Sequence, residues 1–127
     1  MSSANFEIYG LDHLQLAMPA GQEDIARQFY VGVLGLTEIP KPAHLIKRGG
    51  AWFLAGDMPI HLGVDKDFRP ARQAHPAFLV RDLAALRQFL ESSGLPVVPD
   101  EPIAGRNRLF TADPFGNRIE LVERIAE

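Results

Sequence analysis

The chain has 127 residues, of which 46% are hydrophobic and 23% are charged, and its formal net charge is −3. These values are typical of one globular domain with a small core, and they do not favour a nucleic-acid partner, which would require a basic face. The chain has no cysteine, no apolar run that would span a membrane and no signal-peptide pattern, so we exclude disulfides and thiolate ligands and expect a cytoplasmic protein without membrane contact.

The first half of the chain predicts the order β-α-β-β-β. Alternation of apolar and polar residues predicts the first strand, and apolar residues at helical spacing predict the helix. Gly35 follows the predicted helix end, and Gly49-Gly50 is typical of a hairpin turn. The predicted elements are a strand over 8–18, a helix over 21–34, a short strand over 36–39, a hairpin of 44–47 and 51–55, and a strand over 60–64.

The same order recurs after a polar linker over 65–72. Asp82 is suited to cap the second helix, and residues 113–117 predict a turn. The predicted elements are a strand over 77–80, a helix from 82 to about 94, and strands over 96–98, 108–112 and 118–123. We therefore predict an α+β fold of two βαβββ modules, about 6–65 and 73–125, in a single domain over 1–127.

Each predicted module begins with a histidine and ends with a strand that carries one more potential metal ligand. His61 lies 48 residues after His13, and Glu120 lies 45 residues after His75. Two copies of one unit would bring two ligands each to a shared centre, and this donor set suits Zn²⁺, Ni²⁺, Mn²⁺, Co²⁺ or Fe²⁺. We therefore predict a divalent metal site of these four residues, with Glu120 as the catalytic proton acceptor.

Polar residues beside these ligands are candidates for substrate binding. Alternate residues of a strand face opposite sides, so Gln15 shares a face with His13, and Arg118 shares a face with Glu120. Arg108 lies close by in the sequence, and two arginines on a cavity wall would favour an anionic substrate. The alternatives are that these arginines are solvated, or that one of them forms a salt bridge with Glu120. The fourth histidine, His44, has no counterpart in the second half and is expected at the surface or at a pocket rim.

At these positions the chain resembles the vicinal oxygen chelate superfamily, which includes glyoxalase I, bleomycin-resistance proteins and extradiol dioxygenases. The resemblance implies a cup-shaped, barrel-like mixed sheet around a divalent metal, with ligands at His13, His75 and Glu120 and a fourth ligand at His61. It also implies a homodimer, often with each site shared between subunits. The motifs that carry it are Leu11-Asp12-His13-Leu14, Phe29-Tyr30, Leu34-Gly35-Leu36, His75-Pro76-Ala77-Phe78 and Asp113-Pro114-Phe115-Gly116-Asn117-Arg118-Ile119-Glu120.

The resemblance implies a metal-dependent lyase, isomerase or dioxygenase that acts on a small oxygen-rich substrate. The mechanism shared by such enzymes is chelation of two adjacent substrate oxygens by the metal. His61 departs from glyoxalase I, where this position is usually Glu or Gln, so the resemblance does not extend to lactoylglutathione chemistry. The alternatives are a non-catalytic drug-binding protein of the bleomycin-resistance type and a structural metal that ties the modules together.

Overall fold

The structure, a computed structural model, describes residues 5–125. Its elements follow the order βαβββ twice, as the sequence predicted. They are β1 (Leu14–Met18), α1 (Glu23–Tyr30), β2 (Thr37–Ile39), a 3₁₀ helix (Ala43–Arg48), β3 (Ala51–Ala55), β4 (Met58–Val64), β5 (Ala77–Leu79), α2 (Leu83–Ser92), β6 (Val98–Pro99), β7 (Arg106–Ala112) and β8 (Arg118–Arg124). Within residues 5–125, no helix is both long and apolar enough to cross a membrane.

The strands form two four-stranded sheets with equivalent orders, β1-β4-β3-β2 and β5-β8-β7-β6. In each sheet the first and last strands of the module pair in parallel, and the other pairs are antiparallel. The predicted α+β fold of two duplicated modules is therefore confirmed. In the described part of the chain, hydrogen bonds do not join the two sheets into one closed barrel.

Both sheets use one face to build a common hydrophobic core with the helices. Leu16 and Met18 of β1 alternate with Gln15 and Ala17, and in β8 the buried Ile119 and Leu121 alternate with Arg118 and Glu120. Burial of one large apolar side chain stabilises a fold by roughly 1.5–3 kcal/mol, so this alternation fixes which face of each sheet is turned to the core. The opposite faces are left for the polar residues.

The turn that the sequence predicted over 113–117 joins the two modules. Tyr30 Oη, at the end of α1, donates a hydrogen bond of 2.7 Å to Asp113 Oδ2. Asn117 Nδ2 donates to Ala17 O at 2.8 Å and to Asp113 Oδ2 at 2.9 Å. Burial, and then the nearby Asp113 carboxylate, raises the pKa of Tyr30 above its ordinary value, because both disfavour the phenolate. The Tyr30 phenol therefore stays a donor in the folded protein.

The predicted hairpin of residues 44–47 and 51–55 is wrong. Residues 43–48 form a 3₁₀ helix with i→i+3 bonds, such as Leu45 N to Pro42 O at 2.9 Å. The actual hairpin joins β3 to β4 through Gly56-Asp57. The Gly49-Gly50 pair instead ends the 3₁₀ helix, because Gly50 N donates to Glu23 Oε2 at 2.8 Å and is thereby turned away from strand pairing.

The first strand is shorter than predicted, since it begins at Leu14 and not at residue 8. Leu14 is the first residue of β1 in register with β4, where it lies opposite Ile60. The preceding residue of β4 is Pro59, which has no N–H to offer to a neighbouring strand. The predicted cap of the second helix is confirmed, since Asp82 Oδ1 accepts a hydrogen bond from Ala85 N at 3.1 Å.

Candidate functional site

The face of the first sheet opposite the core carries a stack of three rings. Gln15 of β1 lies opposite His61 of β4, and His13 stands two residues before Gln15. The His13 and His61 ring centroids are 4.3 Å apart with an interplanar angle of 21°. On its other side His61 stacks on Trp52, with centroids 3.9 Å apart and planes within 1°. The structure therefore brings the two predicted ligands of the first module together.

The surroundings of His61 favour its neutral, metal-binding form. Burial lowers the pKa of His61, and the neighbouring His13 and Lys41 lower it further, while Asp12 acts in the opposite direction. His13 Nδ1 lies 2.8 Å from Asp12 Oδ2. A carboxylate at this ring nitrogen fixes the tautomer and leaves Nε2 for a metal, an arrangement common in metal-binding histidines.

The corresponding face of the second sheet carries the other two predicted ligands. His75 Nε2 lies 2.8 Å from Glu120 Oε1, and His75 Nδ1 lies 2.9 Å from Gln73 O. Glu120 is buried, with 7% of its surface exposed. Ala77 lies opposite Glu120 in the parallel pair of β5 and β8, and His75 stands two residues before Ala77. The register of His75 with Glu120 thus repeats the register of His13 with His61.

The predicted substrate arginines surround Glu120 in different ways. Arg108 Nη1 lies 3.3 Å from Glu120 Oε2, and Arg108 Nη2 lies 3.3 Å from Asp100 Oδ2. The salt bridge that the sequence left open for Glu120 is therefore formed, and it is formed with Arg108. The guanidinium of Arg118 lies 3.8 Å from the centroid of the Phe110 ring, a cation–π contact.

The two ligand pairs do not meet within one chain. In residues 5–125, no group of three or more His, Asp or Glu side chains is close enough to hold a metal ion. A protein zinc site generally needs at least three protein ligands. Each chain thus presents two half-sites, each with two potential ligands, and the four-residue centre stays a prediction.

A cavity of about 440 Å³ adjoins the half-site of the first sheet. Lys41, Arg48 and Trp52 line it beside His13 and His61. The sequence offered Trp52 as core or as a pocket residue, but Lys41 and Arg48 were missed, since they lie beside a segment that was predicted as a hairpin. Gln15 lines it as well, beside Gly63, where a Cβ atom would lie only 2.5 Å from Gln15 Nε2. A larger cavity of about 860 Å³ has a mostly apolar lining that includes Met58 and Phe78, and none of the predicted ligands lines it.

Comparison with known proteins gives one family. The family model described as the glyoxalase/bleomycin resistance protein/dioxygenase superfamily matches residues 10–121. Among solved structures, a glyoxalase family protein from Bacillus anthracis is 45% identical, with a TM-score of 0.90 over 95% of this chain and 99% of that chain.

More distant structures share the fold. An integron cassette protein from the mobile metagenome of the Halifax Harbour sewage outfall is 22% identical, with a TM-score of 0.72 over 91% of this chain and 99% of that one. The fosfomycin resistance protein FosX from Mesorhizobium loti is 18% identical, with a TM-score of 0.67 over 92% and 93%. A search among curated protein sequences returned no match.

Proposed function

Because this chain belongs to the glyoxalase/bleomycin resistance protein/dioxygenase superfamily, we propose that it is a divalent-metal-dependent enzyme of the vicinal oxygen chelate type. It acts as a lyase, isomerase or dioxygenase on a small oxygen-rich substrate. One observation carries the proposal: the two modules hold His13 with His61, and His75 with Glu120, at the same register of equivalent strand pairs. The shared register follows from the common topology of the modules, and the presence of a potential metal ligand at each of the four matching positions supports a common centre.

The four side chains fit a divalent metal by their chemistry. Three imidazoles and one carboxylate are donors that Zn²⁺, Ni²⁺, Co²⁺, Mn²⁺ and Fe²⁺ accept. His13 has an orienting partner in Asp12, and His75 has one in Gln73 O. When bound, the metal would act as a Lewis acid toward two adjacent oxygens of the substrate.

The chain's own residues supply the remaining steps. Glu120 is the proton acceptor, since its burial and its contacts with His75 and Arg108 hold the carboxylate in one position. Gln15 lies opposite His61 and offers an amide that orients substrate beside the metal. Arg118 presents its guanidinium on the face that holds Glu120, where it contacts substrate.

A second copy of the chain completes the centre, and we therefore propose a cytoplasmic homodimer. Each chain has two half-sites, and two half-sites from different copies supply four ligands. The segment before β1 supports a partner: its large apolar residues are between 71% and 92% exposed, a pattern rare on monomeric surfaces. They are Phe6, Ile8, Tyr9 and Leu11. In addition, β1 and β5 each have one edge without a strand partner in the described residues.

A non-catalytic drug-binding protein is the second candidate, because Trp52 offers a flat aromatic wall to a cavity of about 440 Å³. The charges of that cavity count against capture of a cationic drug. Lys41 and Arg48 line it, and the described lining residues include no Asp or Glu. This lining does not favour a cationic drug, whereas a metal at His13 and His61 would also be neutralised by the Glu120 carboxylate of the other half-site, so the enzyme is the better-supported function.

Elemental analysis of the untagged protein tests the proposal. We expect one divalent metal per four-ligand centre in the purified protein and its loss in His13→Ala. His44→Ala is the matched control, since His44 is exposed and lies in neither ligand pair. Protein without metal, and without affinity for any of the five candidate ions, would refute the enzyme and leave the drug-binding alternative.

A further inference from the structure

The cavity of the first sheet carries an excess of positive charge. Lys41 and Arg48 line it together with His13 and His61. Neither Lys41 nor Arg48 forms a salt bridge with a carboxylate in residues 5–125. The cavity is therefore locally positive, although the whole chain has a net charge of −3.

The backbone segment that carries these two cations is tied down at several points. Lys41 precedes the 3₁₀ helix of residues 43–48 and Arg48 is its last residue, and Lys41 Nζ donates a hydrogen bond to Gly49 O across the ends of this segment. Gly50 N donates to Glu23 Oε2, so the segment is also tied to α1, and Gly50 packs directly against Leu62 O of β4. A segment fixed at both ends presents its charges at a defined position, which reduces the ordering cost of binding a ligand.

The cavity also carries aromatic rings and an amide. Trp52 and His61 line it with their rings stacked face to face. Gln15 adds an amide that can donate a hydrogen bond. The cavity therefore combines two cationic side chains with aromatic and amide groups, in a volume of about 440 Å³ that suits a small molecule.

We propose that this cavity binds an oxyanion group of a small ligand, with Arg48 and Lys41 as the cationic contacts and the rest of the ligand against Trp52. Guanidinium and ammonium groups recognise carboxylate and phosphate-type oxygens through charge-assisted hydrogen bonds. That this ligand is the substrate rests on the function proposed above, because the cavity adjoins His13 and His61. The oxyanion site itself requires no metal.

Trp52 makes the cavity directly observable, because it is the single tryptophan of the chain. The experiment titrates chelator-treated, full-length protein with inorganic phosphate and, separately, with oxalate, at ionic strength held constant with chloride. Fluorescence of Trp52 and the NMR amide shifts of Gly49 and Gly50 are recorded. We expect saturable binding of at least one probe, and the preferred probe distinguishes a phosphate-type group from a carboxylate.

Arg48→Gln is the principal variant, and Lys47→Gln is its matched control. Lys47 is exposed on the same 3₁₀ helix and does not line the cavity. Its substitution by Gln removes one positive charge, as Arg48→Gln does. We expect Arg48→Gln to weaken binding at least about tenfold, as loss of a hydrogen bond to a charged group does, and Lys47→Gln to change it less than about twofold. Lys41→Gln is secondary, because Lys41 also holds the segment through Gly49 O.

Two results would overturn the inference. One is wild-type protein, folded by its thermal transition, that binds neither probe by either readout. The other is an equal loss of binding in Arg48→Gln and Lys47→Gln, which would indicate unspecific attraction. Metal content is measured on separate samples, so absence of metal refutes the proposed function without touching the oxyanion site, and absence of anion binding in a protein that holds metal refutes the oxyanion site alone.

Discussion

The indole ring of Trp52 lies parallel to the imidazole ring of His61, with centroids 3.9 Å apart. The two residues are direct partners in the antiparallel pair of β3 and β4. The stack therefore follows from strand register, and it couples the emission of the single tryptophan to whatever His61 binds.

Metal binding is expected to quench Trp52 fluorescence. Ni²⁺ or Co²⁺ added to chelator-treated protein should reduce emission to a stoichiometric endpoint, because the ion would lie next to the stacked rings. His13→Ala should weaken binding by more than the roughly 10–100-fold that loss of a ligand's hydrogen-bond partner costs. His44→Ala should titrate like the wild type. Equal titration curves for all three proteins would refute His13 as a ligand.

Mixing two inactive variants should restore metal sites if the centre lies between copies. One variant carries His13→Ala and His61→Ala, and the other carries His75→Ala and Glu120→Gln. In a two-fold symmetric dimer, random pairing makes half of the dimers mixed, and each mixed dimer has one intact site, so about a quarter of the sites should return. Metal content after co-refolding measures this. No recovery of metal in a protein that is dimeric would contradict a centre shared between copies.

Tyr30→Phe is expected to destabilise the joint between the modules by about 1–3 kcal/mol at neutral pH, because Asp113 loses a buried donor. The pKa of Tyr30 is raised on folding, so above pH of about 10 the unfolded chain releases a proton that the folded protein keeps. As the pH rises above this value, the difference in unfolding free energy between the wild type and Tyr30→Phe should shrink by up to about 1.4 kcal/mol per pH unit. Urea unfolding of both proteins from neutral to alkaline pH measures this, and a constant difference would contradict it.

Gly50→Ala is expected to cost more stability than Gly56→Ala. Both glycines have positive φ, of +86° and +59°, so both substitutions incur the left-handed backbone cost of about 1–2 kcal/mol. At Gly50 the new Cβ would also lie 2.0 Å from Leu62 O, whereas at Gly56 no atom lies within 4 Å. The extra overlap should add about 1–3 kcal/mol. Thermal unfolding measures the difference, and equal losses would show that the 3₁₀ segment yields easily.

Much of the fold was predictable because the sequence clearly shows the two-residue alternation of strands and the 3.6-residue spacing of apolar residues in helices. The repeat of His13 and His75 before apolar strands indicated two equivalent modules, and the capping side chain of Asp82 indicated the second helix. The segment around Gly49-Gly50 was not predictable in the same way. A glycine pair is compatible with a hairpin or with a helix end, and the deciding contact is Glu23, which lies 27 residues away from Gly50.

The residues of each half-site were predictable from the sequence. The cationic residues that line the cavity beside the first half-site were not. Alternation along a strand puts Gln15 on the face of His13, and Arg118 on the face of Glu120. Arg108 was one of two partners considered for Glu120, and only the pairing of β7 with β8 selects it. Lys41 and Arg48 line the cavity because the 3₁₀ helix of residues 43–48 and its flanking residues pack beside the first sheet. No local sequence pattern predicts this packing.

The parallel pairing of β1 with β4 also bears on how the chain folds during synthesis. The first sheet contains only residues before 65, so all of its strands have been synthesised before any strand of the second sheet. Protein segments that form complete units generally fold in N- to C-terminal order on the ribosome. The bond from Asn117 to Ala17 spans 100 residues, so it cannot form before the turn that precedes β8 has been synthesised, and it is expected to lock the two halves together late in folding.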